Sequence, residues 1–198
     1  MCLHAARLPA KIDAAGDLSA LGEQDRSHWD AARVAEGLAL LEQSARGDEA
    51  TPYHLEAGIA AEHATAPTFA ATNWRVVVHL YDQLMSIAPS PVVALNRAIA
   101  LAERDGVERG LDALRAIEDS KRLAEYPFYR AAFGELELRN GNGPAAVKHF
   151  QAARAVARSE PERRFLEKRI AAARKATHGT AGDGETGDAG AQLTSRQR

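Results

Sequence analysis

Apolar residues recur along this chain at helical spacing, separated by short polar turns. Trp29, Val34, Leu38 and Leu41 share one face of a 3.6-residue period. They predict a helix that starts at Ser27, with Ser27 as N-cap and Asp30 three residues on, and breaks at Arg46-Gly47-Asp48. Thr51-Pro52 opens the next helix, with proline at the first helical position, and Ala66-Pro67 closes it. Asn73 caps a third, whose apolar face is Trp74, Val77, Val78, Tyr81, Leu84 and Met85. Further helices follow over 92–103, 107–117, 126–139, 145–157 and 163–175, divided by Asp105-Gly106, by Asn140-Gly141-Asn142-Gly143-Pro144 and by Ser159-Glu160-Pro161. Ahead of all these, Met1 to Leu8 has apolar residues at 1, 3, 5 and 8, a helical remnant that Pro9 stops. A connector follows, with Leu18 and Leu21 placed to pin it to the body.

Helix, short turn and helix in succession is the mark of a helical solenoid. The spacing fits a tetratricopeptide-type repeat of about 34 residues, which wants small residues where its helices approach closely. From Pro127, the small positions fall on Gly134, Ala146 and Ala153, with Phe150 at the large position between the last two. From Pro91 they fall on Ala98 and Gly110, with Leu114 at the large position; Ile117 is larger than the pattern asks. The expected fold is therefore all-α, a right-handed solenoid of helical hairpins. Three regions are expected: a helix remnant and connector over 1–27, the helical domain over 28–176, and a tail over 177–198. The stretch from His178 to Arg198 holds five glycines and a single large aliphatic residue, Leu193, and is expected to be disordered.

Composition supports this reading. Alanine supplies 42 of 198 residues and arginine 20 of the 25 basic ones, both strong helix formers. The net charge of −2 argues against a nucleic-acid module. We expect no DNA binding by this chain alone. No apolar run is long enough to span a bilayer, and the first ten residues lack the pattern of a secretory signal. The single cysteine, Cys2, allows no internal disulfide, in keeping with a cytoplasmic setting.

Chemistry-bearing motifs are sparse. The seven histidines include no HExxH and no pair four residues apart. There is no GxSxG elbow, no GxGxxG and no phosphate-binding P-loop. No catalytic residue, metal or cofactor is expected. Two charged stretches remain. In Glu23 to Asp30 the simpler reading is acids at a helix start, and the sharper one is a docking patch around an exposed Trp29 that includes Asp25 and Arg26. In Glu160 to Arg169, acids precede bases along a capping helix with an apolar stripe of Phe165, Leu166 and Ile170.

Several strings together carry a resemblance: LHAAR (3–7), DAAGDLSALGEQDRSHWD (13–30), AEGLALLE (35–42), PYHLEAGIAAEHA (52–64), YDQLMSIAPSPVVALNRAIALA (81–102) and EPERRFLEKRIA (160–171). In order and spacing the chain resembles the tetratricopeptide-like C-terminal extension of a subgroup of extracytoplasmic-function sigma factors of the sigma-70 type. Such sigma factors carry two DNA- and polymerase-contacting domains ahead of this region, and neither is in this sequence. The chain is thus expected to be either a fragment of a longer product or a stand-alone tail. The connector keeps the acidic and glycine positions Asp13, Gly16 and Asp17, with alanines between.

The resemblance implies a regulatory or protein-interaction role in transcription initiation. The implied partners are core RNA polymerase, sigma-factor domains or a regulator protein. The expected partner-binding residues are Asp13, Gly16, Asp17, Asp25, Arg26, Trp29, Tyr53, Asn96 and Arg97. His54, Glu56, Tyr129 and Arg130 join Tyr53, Asn96 and Arg97 as candidates to line the inner groove of the repeats. The alternative is a free-standing helical-repeat adaptor with no part in transcription.

Overall fold

The computed structural model describes residues 2–13, 15–45 and 50–179. Helix α1 is Cys2–Ala5, α2 Ala31–Ser44, α3 Pro52–Thr65, α4 Trp74–Ile87 and α5 Pro91–Asp105. Helix α6 is Val107–Arg115, α7 Pro127–Arg139, α8 Gly143–Ala155 and α9 Glu160–Gly179. Each helix from α2 onward packs on the next, and α5 and α7 both reach the second helix along. The fold is an all-α helical repeat. The β pairing among the described residues is a single antiparallel bridge, Ile12 to Leu18, in the connector.

Local chemistry sets the helix ends. Ser90 Oγ accepts from the Val93 N–H at 3.1 Å, and Asn142 Oδ1 from the Ala145 N–H at 3.3 Å, each relieving an orphan donor of the first turn. Proline opens α3, α5 and α7, where no N–H is missed. At α3, His54 Nδ1 accepts from the Thr51 N–H at 3.1 Å and fills the capping-box role of glutamate. One expected cap moves. Helix α2 begins at Ala31, and Asp30 rather than Ser27 is its N-cap, accepting from the Arg33 N–H at 3.0 Å. Ser27 lies instead in a 3-10 turn capped by Asp25.

Packing follows the repeat pattern. Three buried clusters succeed one another, the first on α3, α4 and α5, the second on α5, α6 and α7, the third on α7, α8 and α9. The small positions are where helices touch. A Cβ on Gly134 would stand 2.7 Å from the Phe150 ring, and one on Gly110 only 2.4 Å from Ala102 Cβ. Ala98, Ala146 and Ala153 are fully buried, and Ile117 is accommodated in the core beside Leu123. Helix α9 continues through Gly179, past the expected edge at 176. The expected disorder over the remainder of the tail lies outside the described residues.

At Gly110 the close approach outweighs helix propensity. Alanine there gains about 1 kcal/mol of propensity. It also overpacks against α5 and Leu136, at a cost of about 1–3 kcal/mol. Gly110→Ala is expected to lower the urea midpoint relative to the parent chain, and an unchanged or higher midpoint would contradict this packing.

Candidate functional site

The connector is a folded clasp. Asp13 Oδ1 accepts from the N–H groups of Ala15 and Asp17, both at 2.9 Å. The Asp13 N–H donates to the Asp17 carbonyl at 2.8 Å, and Ser19 N–H to the Lys11 carbonyl at 3.0 Å. Gly16 sits at φ +79°, a conformation that a side chain would strain. This turn presents Asp17 to α9, 147 residues away in sequence. Arg164 Nε donates to Asp17 Oδ1 at 2.5 Å and its second nitrogen to the Gly16 carbonyl at 2.7 Å. Lys168 Nζ meets Asp17 Oδ2 at 2.5 Å. Further along, Arg169 joins Glu23 of the connector at 3.0 Å and also pairs with Glu135 of α7.

Asp17 is only 6% exposed, yet both its oxygens are met by cations. The hydrogen bond from Lys168, then that from Arg164, holds its carboxyl below the usual carboxylate range, and the same contacts raise Lys168 and Arg164. Asp13, Gly16 and Asp17, expected to meet a partner, are therefore engaged within the chain. The sequence pattern singled out both strings that meet here without pairing them. The available signal was charge: an acidic turn in one, and Arg164, Lys168 and Arg169 close together on a helix in the other.

A second cluster surrounds Trp29. Its indole is 8% exposed, which corrects the expectation of an exposed docking residue. The guanidinium carbons of Arg26 and Arg7 lie 4.6 and 5.5 Å from its ring centroid and cover it. Arg26 also donates to the carbonyls of His63 and, at 2.8 Å, Ala66, closing the C-terminal end of α3. Asp25 accepts from the Ser27 N–H and hydroxyl at 2.9 and 2.7 Å, which lowers its pKa. His63 is buried beside Trp74, ring centroids 5.3 Å apart. Burial first, then the positive charges of Arg7 and Arg26, push its pKa down to about 4.

The groove candidates divide. Tyr53 is 82% exposed, and Glu56, Asn96 and Arg130 are also open. Arg97 is half-buried and paired with Asp82 at 2.6 Å. His54 is half-buried in its cap. Tyr129 does not line a groove: it is buried in the core against Phe133, because α7 is buried on most of its circumference. The sequence reading missed Val92 and Phe128. With Tyr53 they place an exposed apolar side chain at the second residue of α3, α5 and α7. No three His, Cys, Asp or Glu side chains among the described residues are grouped to hold a metal, and no described helix is long and apolar enough to cross a membrane.

Comparison with known proteins adds little chemistry. Residues 1–45, which include the clasp turn, Arg26 and Trp29, match a family of unknown function, DUF6596. The chain is 34% identical over 170 residues to an uncharacterized protein of Rhizobium meliloti (strain 1021). That alignment covers 86% of this chain and 40% of the relative, so the chain spans well under half the length of the relative it matches. No solved structure matches.

Two outcomes follow for stability. Asp17 has a folded pKa below its unfolded value, so its contribution is present at neutral pH and lost as pH falls through the folded pKa. Asp17→Asn should be less stable than the parent at pH 7, with faster hydrogen exchange over 11–19, and the gap should close in acid below the carboxylate range. A gap that persists there would exclude the ionic clasp as its cause. His63 also has a lowered folded pKa, so the unfolded chain takes its proton first. The decline that His63 causes should begin as pH falls from about 6.5 and be complete near 4, amounting to about 3 kcal/mol. His63→Gln should flatten this part of a pH–denaturation curve.

Proposed function

We propose that this chain is the regulatory, protein-interaction part of an RNA polymerase sigma factor. It would act in transcription initiation, in the cytoplasm, by docking on sigma domains, core polymerase or a regulator. No catalysis, cofactor or direct DNA contact is part of this reading. One observation carries it. Two of the strings that carry the resemblance, 13–30 and 160–171, are the two halves of one contact, Asp17 and Glu23 against Arg164, Lys168 and Arg169. Residues held together by mutual need explain why both strings would travel together in such an extension.

The physical setting suits a docking module. Repeat helices offer a long surface, and Tyr53, Val92, Asn96 and Phe128 stand open on three successive first helices. A partner can shift a sigma factor between two arrangements only by binding them with different strength. The clasp supplies a candidate two-state element, because its charges could pair with a partner instead. The greater length of the Rhizobium relative leaves room there for other domains.

The test is a pull-down at moderate salt of this chain against purified core RNA polymerase and, separately, a sigma-domain fragment from a relative. Retention by either is expected, weakened about tenfold or more by joint Tyr53→Ala and Phe128→Ala changes. Retention by neither would count against docking by this domain. A salt-sensitive gel shift with DNA alone would overturn the exclusion of DNA.

A further inference from the structure

The cluster on Trp29 is positively charged and short of acceptors. Arg7 and Arg26 press on the same indole, and His63 feels both charges. The Arg7 guanidinium has no hydrogen bond or ion pair among the described residues. Its Nε is buried without a partner, as are the second terminal nitrogen of Arg26 and the indole Nε1 of Trp29. Those three atoms only donate. His63 Nδ1, on a side chain more than nine-tenths buried, is also unpartnered. Orphaned buried donors are costly, and two like charges beside one another add to the cost. A water molecule accepts at most two hydrogen bonds and neutralises nothing. An anion accepts more and cancels charge.

We propose that Arg7, Arg26 and Trp29 Nε1 form a binding site for a small oxyanion, of which hydrogen phosphate best suits the lining. Arg26 is the member of this trio that lines a cleft of about 370 Å³, also walled by Gly22, Gln24, Ser27, Thr68 and Phe69. Gln24 Oε1 is an unpartnered acceptor on that wall, which suits the one P–OH of hydrogen phosphate and gives acetate nothing. Asp25 also borders the cleft, with its carboxylate held by the Ser27 N–H and hydroxyl. The bound anion would tie three segments together: the turn after α1, the 3-10 turn at Arg26, and the end of α3 that Arg26 already closes. Occupancy therefore stiffens the attachment of the connector to the repeats.

The experiment titrates inorganic phosphate, and separately acetate, into the full chain at pH 7.5 and constant ionic strength. The readouts are melting temperature and isothermal calorimetry. The expected result is a saturable rise in melting temperature with millimolar phosphate, a calorimetric isotherm of one site, and at least tenfold weaker binding by Arg7→Gln. Arg7→Gln also takes a guanidinium off the Trp29 face, so each protein is compared with its own phosphate-free melt, and it is the phosphate-dependent rise that Arg7→Gln should lose. No saturable response, or an undiminished one in Arg7→Gln, would overturn the site. An equal response to acetate would overturn the assignment of phosphate. None of these outcomes depends on binding to polymerase.

Discussion

The architecture depends on how closely successive helices approach. Glycine at 110 and 134 lets α6 come against Ala102 and lets Phe150 lie on the backbone of α7. Fully buried alanines at 98, 146 and 153 extend the same constraint through the repeats. With helices this near, each three-helix cluster is a packed unit that shares a helix with the next. Stability then comes mainly from neighbour-to-neighbour burial, as in other repeat arrays. The path of the stack is fixed by these contacts, and it is that path which carries α9 to the connector.

The helices and their order were legible in the sequence. Period, prolines at helix starts and glycine turns placed α2 to α9 to within a few residues. The small-residue spacing identified which positions touch. Where the reading slipped, a local rule lost either to a competing local one or to a longer-range contact. Ser27 is a good cap by type, yet Asp25 and Asp30 both compete for nearby N–H groups and take them. Tyr129 sits at a position that faces a groove in an ideal repeat, but α7 is enclosed by α5, α6, α8 and α9.

The candidate site was legible in its residues and not in its partners. Asp13, Gly16 and Asp17 stood out as a turn with an acidic rim. Nothing in one linear sequence said that the rim faces Arg164 and Lys168. Pairing over such a separation is invisible to periodicity, which reports only which face of an element is apolar. Trp29 illustrates the same limit. An aromatic residue between charged neighbours looks exposed on paper, and here Arg26 from beside it and Arg7 from the turn after α1 form its lid.

The clasp between the connector and α9 also constrains how this architecture can evolve. Open repeat arrays tolerate the gain or loss of a hairpin, since only the two new interfaces must match. Here Asp17 and Glu23 meet Arg164, Lys168 and Arg169 across a span set by the number of intervening helices. One hairpin more would carry α9 beyond the reach of the turn, and one fewer would leave it short. The salt bridges act as a ruler, and the array is held to a fixed count of repeats.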